Sequence, residues 1–511
     1  MKNKLVLGID LGTTNSCISI WRNNRSEIIP DKMGRHTIPS VVSFTNNSVY
    51  VGYKADRQRK LNPENTYYDV KRLLGRNINE KIVKDDMEYI SYNLCNDDKN
   101  NILIKCDLSK RKSIYKLEEI VSFILMELKK MANEYLGDEM TNKVVITVPA
   151  YFNDIQRQST SDAALIAGLD CIRIINEPTS AALAYGLETL SLNNNKEMNI
   201  LVYDLGGGTL DVSILTIYNG VFEVLCSTGN THLGGEDFDN RIIKYCLDEF
   251  KKTNGLREIK GLSSISLQEL RKQCENIKKI LSIEDCGNIM INNFHMNKNL
   301  YIKITKEKFE SICNDLFLLC LRPVENAIET CDLDKEDIDE VILVGGSTRI
   351  PKIVEMLELY LNKKIKSTVN PDEVVSVGAS IQGHLIENND DPFTSSIVLL
   401  DVTALSLGVE TIGGVMDIIV ERNSTIPIKK SKRYTTDSDY VDSVDIKVYE
   451  GERQLTKDNI MIGEFELNNI KKAPRGVAEI EVIFSIDVNG IINIKAKDLK
   501  NKNIKQIRIK N

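Results

Sequence analysis

Ile9-Asp10-Leu11-Gly12-Thr13-Thr14 and, some two hundred residues later, Tyr203-Asp204-Leu205-Gly206-Gly207-Gly208-Thr209 are two versions of one device. Each follows an apolar strand, Leu5–Ile9 in the first copy and Ile200-Leu201-Val202-Tyr203 in the second. A turn built from glycines and small hydroxyl residues lets backbone N–H groups approach a phosphate, because no side chain intervenes. Thr13, Thr14 and Thr209 add hydroxyl donors beside those amides. Asp10 and Asp204, with Asp211 just past the second turn, have the character of groups that hold a hydrated Mg²⁺. One glycine-rich strand end is commonly a tight turn and nothing more. Two of them, each opening with aspartate, predict a duplicated fold with a ligand between its halves.

Working outward, residues 1–388 alternate β-branched runs with helical stretches, as in Lys143-Val144-Val145-Ile146-Thr147-Val148 followed by a helix from Asp154 to Ala167. That alternation predicts an α/β architecture. A third glycine pair follows a buried strand in Val341-Ile342-Leu343-Val344-Gly345-Gly346-Ser347-Thr348-Arg349, a setting for a nucleoside with Arg349 flat on its base. Leu270, Cys274, Ile277 and Leu281 mark the buried stripe of a helix whose polar side carries Glu275, Lys278, Lys279 and Ser282. From about residue 401 short strands and turns take over. Ile480, Val482, Phe484, Ile486 and Val488 alternate at period two, and Asn489-Gly490 predicts a two-residue hairpin into Ile492 and Ile494. Between the two textures lie the charged, proline-stopped stretch Glu387–Pro392 and the apolar run Ile397-Val398-Leu399-Leu400, closed by Asp401. Alone, that run reads as a buried strand. Between an α/β block and a β block it reads as a linker that docks and undocks.

The chain has 511 residues, enough for three or four compact units. Its formal net charge of −7 argues against a polybasic nucleic-acid or membrane binder. The amino terminus meets Asp10 before a secretory apolar region could form, which predicts a cytoplasmic protein. The 11 cysteines include no C-x-x-C pair and no zinc-like spacing with the histidines, as expected for reduced thiols.

At these motifs the sequence resembles the seventy-kilodalton heat-shock chaperone family. The matching segments are Gly8–Ser16, Val148–Asp154, Ile175–Thr179, Asp204–Asp211, His232–Asp239, Gly345–Pro351 and Leu400–Gly408, in order along the chain. Tyr449–Arg453 and Thr456–Asn459 are similar to the eukaryotic cytosolic branch. The resemblance implies an actin-like (ribonuclease H-like, duplicated) ATPase domain over 1–388, an interdomain linker over 389–401 and an all-β sandwich peptide-binding domain over 402–511. It implies an ATP-dependent chaperone that cleaves ATP to ADP and phosphate in the presence of Mg²⁺ and K⁺ and binds unfolded or extended polypeptides. A J-domain co-chaperone and a nucleotide exchange factor are the implied partners.

Residue roles follow the same resemblance. Lys71 is expected over the γ-phosphoryl group, with Glu177, Asp211, Asp204 and Thr209 completing the catalytic set. Asp10 and Asp204 would hold the metal shell and potassium. Gly12, Thr13, Thr14, Asn15, Gly206, Gly207, Gly208, Gly234, Gly235, Glu275, Lys278, Lys279, Ser282, Gly345, Gly346, Ser347, Arg349 and Asp372 would bind the nucleotide. Pro149 and Arg157 would relay nucleotide state from Glu177 to the linker residues Val398, Leu399, Leu400 and Asp401. Val409, Ile412, Tyr434, Asp437, Val444 and Ile446 would form the peptide pocket and its arch, although composition alone makes the apolar ones core.

Four departures from the family pattern stand out. Lys279 replaces an arginine that stacks on adenine, which predicts weaker nucleotide binding. Leu210 replaces a phenylalanine and Ala404 a proline. Asp437 brings an acidic residue to the arch, which predicts a preference for basic flanks on the peptide. In addition, the helical lid and acidic tail are not expected after Lys510-Asn511, which predicts fast peptide release. Two rival readings are a small-molecule kinase of the actin-like superfamily and a non-catalytic, nucleotide-binding co-chaperone.

Overall fold

A computed structural model describes residues 4–190, 197–365, 369–388, 397–500 and 504–508. The part of the expected linker from 389 to 396, and the terminal Lys510-Asn511, lie outside the described residues.

Two mixed sheets dominate the first 388 residues. In the first, the central strand Leu7–Leu11 pairs in parallel with Lys143–Val148 on one side and antiparallel with Asn15–Arg22 on the other. Asn15–Arg22 pairs antiparallel with Arg25–Ile28, and Asp170–Asn176 lies parallel beyond Lys143–Val148. The second sheet repeats these directions. Met198–Leu205 pairs in parallel with Glu340–Val344 and antiparallel with Leu210–Tyr218, which pairs antiparallel with Val221–Asn230. In each sheet a phosphate-type turn joins the central strand to the next one.

The strands form because their runs of Val, Ile and Leu are buried on both faces. Leu7, Ile9, Ile18, Ile20, Val144 and Ile146 belong to one core, and Leu201, Tyr203, Val212 and Ile214 to another. The predicted helical stripe is fully inside the second core: Leu270, Cys274, Ile277 and Leu281 are all buried. The helices Glu177–Leu190 and Val374–Glu387 pack between the sheets and against each other. A Cβ on Gly378 would overlap the Ser180 backbone, so glycine is what lets these two helices approach so closely. Among the described residues no helix is long and apolar enough to cross a membrane.

Beyond residue 402 two four-stranded antiparallel sheets face each other. One runs Val415–Val420, Leu407–Thr411, Ser443–Glu450, Ile460–Asn468; the other runs Ile428–Tyr434, Ile480–Ile486, Ile492–Asp498, Ile504–Arg508. Their inner faces meet in a core containing Val409, Val448, Phe465, Val482, Phe484 and Ile494, the alternation expected of a β-sandwich.

The hairpin expected at Asn489-Gly490 is longer than a two-residue turn. Ile486 pairs with Ile492, and residues 487 to 491 form the loop. Asp487 Oδ1 accepts the N–H groups of both Asn489 and Ile491, which closes the wider loop from inside. Val488 therefore falls off the strand and is 40% exposed.

The apolar run before the sandwich is itself a strand, Val398–Val402. It joins the second sheet in parallel to Val221–Asn230, with Val221, Phe222 and Glu223 opposite Val398, Leu399 and Leu400. It then pairs antiparallel through Asp401 and Val402 with Ile426 and Thr425 of the β-rich part.

Candidate active site

The central strand of each sheet delivers its turn to a single cavity of about 740 Å³ between the sheets. The turns touch. A Cβ on Gly207 would overlap Thr14 Oγ1, and one on Gly208 would lie 2.9 Å from Thr13 Oγ1. Glycine is required here by space as much as by access to a phosphate. Gly234 comes to the same place, since a Cβ on it would lie 2.6 Å from the Gly208 nitrogen. The helix Gly235–Asn254 begins there with its first amides tied back to the second turn: the Gly206 and Gly207 carbonyls accept the N–H groups of Gly235 and Glu236 at 3.0 and 2.9 Å. Asp237 holds that start by accepting the Gly234 N–H at 2.8 Å.

Asp10, Gly12, Thr13, Thr14, Asn15, Lys71, Glu177, Asp204, Gly206, Gly207, Thr209 and Gly235 all line the cavity. So do Glu275, Lys278, Lys279, Ser282, Gly345, Gly346, Ser347, Arg349 and Asp372. Gly208, Gly234 and Asp211 lie immediately behind this lining; Asp211 accepts the Tyr151 N–H at 3.1 Å. Not every cation here is free to meet a ligand. Lys278 Nζ donates to Asp239 and to the Gly235 carbonyl, both at 2.7 Å. Arg349 bonds Asp372 at 2.7 Å, and Lys279 bonds Glu275 at 2.5 Å.

Lys71 Nζ lies 2.7 Å from Glu177 Oε1, and both side chains are over nine-tenths buried. Around this pair stand Asp10, Asp204 and Asp211. Burial, then the Glu177 carboxylate, pushes Asp10 up to about 7, while Lys71 pulls it down. The same two causes raise Asp211 to about 7. Asp204 is raised well above the ordinary carboxylate range, by burial first and then by Glu177, Asp211 and Asp10. Four carboxylates beside the Lys71 ammonium leave surplus negative charge, and Asp211 Oδ2 is buried with no hydrogen-bond partner. Such a set fits a cation. No group of three His, Cys, Asp or Glu side chains among the described residues is placed to chelate one directly. A Mg²⁺ here would therefore keep most of its waters, as that ion usually does.

Sequence reasoning passed over a second charged layer that closes the cleft from its other side. Arg72 donates to both Asp237 oxygens, at 3.0 and 2.8 Å. Arg271 bridges Asp69, at 2.6 Å, and Glu236, and its guanidinium sits 5.0 Å from the Tyr68 ring centre. His232 meets Asp86 at 2.9 Å. Of these residues only His232, Glu236 and Asp237 lie in a quoted motif, and the pairings span from 35 to 202 positions and leave no local pattern.

A continuous set of contacts leads from the cavity to the linker. Glu177 follows Asn176, whose Nδ2 donates to both oxygens of Asp401, at 2.9 and 3.0 Å. Thr179 donates to the same carboxylate at 3.2 Å. Arg157, expected in the relay, is buried and donates to Asn176 Oδ1 at 2.7 Å and to the carbonyls of Ala150 and Phe152. It therefore braces Asn176, while Asn176 and Thr179 are the groups that hydrogen-bond the linker. The Pro149 carbonyl accepts the Phe152 N–H in the turn beneath.

The β-rich part meets the first sheet through the wide hairpin. Asn489 Oδ1 accepts the Ile174 N–H at 3.1 Å, and Asp154 Oδ1 accepts the Ile492 N–H at 2.9 Å. Glu450 is buried against Asp154; burial first, then that like charge, pushes it up to about 8. Ala404 lines the small cavity left at this junction, and Leu210 is fully buried in the second core. Of the expected peptide-pocket residues, Val409 and Ile446 lie in the sandwich core, with Tyr434 and Val444 packed at its edge. Ile412 is 80% exposed and Asp437 is exposed.

A family model described as Hsp70 protein matches residues 6–511. Among curated relatives, the heat shock protein 70 homolog of Acanthamoeba polyphaga mimivirus is 49% identical over 505 residues, covering 97% of this chain and 54% of that protein. The heat shock cognate 70 kDa protein 3 of Dictyostelium discoideum is 45% identical over 509 residues, covering 99% and 80%. The heat shock 70 kDa protein of Neurospora crassa is 45% identical over 507 residues, covering 99% and 77%. The chain thus spans about half the length of the mimivirus relative and under four-fifths of the fungal one.

Proposed function

The chain belongs to the Hsp70 family, and on that premise we propose that it is an ATP-dependent molecular chaperone of the cytoplasm. It cleaves ATP between two actin-like lobes and couples the cleavage to binding of extended, apolar polypeptide segments in the β-sandwich. The observation that carries this reading is the contact of the two glycine-threonine turns beside the buried Lys71–Glu177 pair.

In this reading the amides of Gly12 to Asn15 and Gly207 to Thr209, with the three threonine hydroxyls, hold the phosphate tail, and Gly206 shapes the second turn by giving its N–H to the Thr209 carbonyl. The start of the helix Gly235–Asn254 backs that cradle by hydrogen-bonding the Gly206 and Gly207 carbonyls. Lys71, steered by Glu177, offsets the charge that develops on the γ-phosphoryl group and orients the attacking water. Asp211 and Glu177 receive hydrogen bonds from that water. Asp10 and Asp204 would hold a hydrated Mg²⁺ and a potassium ion, and the chemistry such cations would supply there is neutralisation of charge on the phosphate oxygens. Glu275, Lys278, Lys279, Ser282, Gly345, Gly346, Ser347, Arg349 and Asp372 enclose the nucleoside. Pro149 and Arg157 keep Asn176 in place, so a shift at Glu177 reaches Asp401 and the linker. Val409, Ile412, Tyr434, Val444 and Ile446 supply the peptide pocket and arch, with Asp437 at its rim. A J-domain protein and an exchange factor act on the cycle from outside.

ATP turnover by the full chain, with and without an unfolded peptide and a J-domain protein, tests this reading. Stimulation by both is expected. Turnover stimulated by sugars and indifferent to peptide would replace it with the kinase reading.

A further inference from the structure

Cys226 and Cys331 are 105 positions apart in sequence, yet their sulfurs are 2.9 Å apart. Cys226 is fully buried in the strand Val221–Asn230, its sulfur 3.4 Å from the Ala327 carbonyl oxygen. Cys331 caps the end of the helix Asn314–Thr330 and is only half-buried, so one member of the pair is open to solvent. Two sulfurs this close need move less than about 1 Å to reach bonding distance. We propose that Cys226 and Cys331 form a reversible thiol–disulfide modification site, oxidised by a small-molecule disulfide such as oxidised glutathione.

The chemistry assigns the two thiols different parts. The hydrogen bond between them lowers the Cys331 thiol and raises that of Cys226, with burial adding to the latter. Cys331 is thus the thiolate that attacks. It bonds one sulfur of the oxidant, whose S–S bond breaks; the departing thiolate takes up a proton. Cys226 then loses its proton and attacks the Cys331 sulfur, and the second small thiol leaves. Two protein thiols are oxidised, and one small disulfide is reduced to two thiols.

A second pair of touching thiols shows why access matters. Cys246 and Cys274 are hydrogen-bonded to each other but both are fully buried, so no oxidant reaches them in the folded chain.

The position of the reactive pair gives the modification a consequence. Cys226 lies between Val221–Glu223, which pair with the linker, and Ser227, whose N–H donates to Asn423 Oδ1 of the β-rich part at 3.3 Å. The helix behind already holds this strand through Thr228, whose hydroxyl donates to the Pro323 carbonyl at 2.7 Å. A disulfide would fasten the strand that receives the linker to that helix.

The full chain is incubated with oxidised glutathione and digested without reductant. Free thiols are expected to fall from eleven to nine, counted against the 11 cysteines of the sequence. Peptides carrying Cys226 and Cys331 should appear as one linked species, lost on adding dithiothreitol. Cys226→Ala should keep one glutathione on Cys331, and Cys331→Ser should form no link at Cys226. The thermal midpoint of the wild-type chain should rise by several degrees on oxidation. Absence of the linked species in folded wild-type chain overturns the proposal. So does a link between Cys246 and Cys274 in its place, or glutathione on the exposed Cys286 but not on Cys331 in Cys226→Ala.

Discussion

The two sheets that face each other across the cleft share four strands in the same order and direction, but their outer strands differ. In the first sheet the outer strand is Arg25–Ile28, four polar-rich residues ending that edge. In the second it is Val221–Asn230, ten residues long, and it accepts the linker as a further strand. The first sheet reaches the linker from its opposite edge by side chains: Asn176 and, one turn on, Thr179 hydrogen-bond Asp401, and Leu399 packs against the cluster of Val6, Val145 and Ile175. One sheet therefore grips the linker by main-chain hydrogen bonds and the other by a carboxylate clasp. In the proposed reading the linker would be fully docked only when both sheets stand at the right angle, which would make it a gauge of how far the cleft has closed.

The largest effect is expected beside the point where the turns of the two sheets meet. Lys71→Met should bind ATP yet lose about a hundredfold to a thousandfold in the cleavage step, measured in a single turnover. A variant with near-normal cleavage would remove Lys71 from the chemistry and leave it a buried partner of Glu177.

The clasp comes next. Asn176→Ala leaves the main-chain pairing to Val221–Asn230 intact but strips two hydrogen bonds from a buried carboxylate. Losing the partner of a charged group costs about 1.5–3 kcal/mol, so undocked linker should rise roughly tenfold or more. Protease cutting within residues 397–401, with ATP cleavage measured alongside, reads this out. If cutting is unchanged, the strand pairing alone holds the linker and the two-handed picture fails.

The difference between what the sequence revealed and what it hid follows the same division. The meeting of the two glycine-threonine turns was legible because glycine chemistry is local: Gly207 and Gly208 announce a close approach, and Thr14 and Thr13 prove to be what they approach. The buried stripe from Leu270 to Leu281 was legible from its period. By contrast, Arg72 meets Asp237 and Arg271 meets Asp69 across more than 160 positions, so each reads as an ordinary surface charge until the fold brings it inside. The Asn489 turn looked like a plain hairpin because its partners, Ile174 and Asp154, lie more than 300 positions away in the α/β part. The parallel pairing of the linker was hidden for a similar reason, since an apolar run of four residues fits any buried strand.

The junction of the sandwich with the first sheet should respond to pH, unlike the linker's main-chain pairing to the second. Docked, Glu450 is raised from an ordinary 4.5 to about 8. Below about 4.5 it is protonated whether docked or free, and docking has its full strength. Between the two values the undocked form ionises while the docked form stays protonated, so docking weakens as pH rises and levels off above about 8. Protease cutting of the linker should therefore increase from pH 6 to pH 8. Glu450→Gln should abolish that slope and resemble the wild-type chain at the lower pH. An unchanged slope in Glu450→Gln would move the titration to another group.

The smallest effect is expected farthest from both grips on the linker, at the rim of the nucleotide cavity. Lys279 is held by Glu275 and its side chain is 65% exposed, so its compact ammonium is both engaged and well hydrated. A guanidinium there could stay bonded to Glu275 and still lie flat over a ring, which an ammonium does poorly. Exposed cation–ring contacts contribute about 0.5–1 kcal/mol, so Lys279→Arg should tighten ATP binding by roughly twofold to fivefold. Cleavage in a single turnover and linker cutting should both stay at wild-type values, because Lys279 touches neither Lys71 nor Asn176. Titration calorimetry separates the outcomes: equal affinity in both proteins would mean the ring does not lie over this side chain. A change in linker cutting would mean that the rim of the cavity, and not only its turns, sets the angle between the sheets.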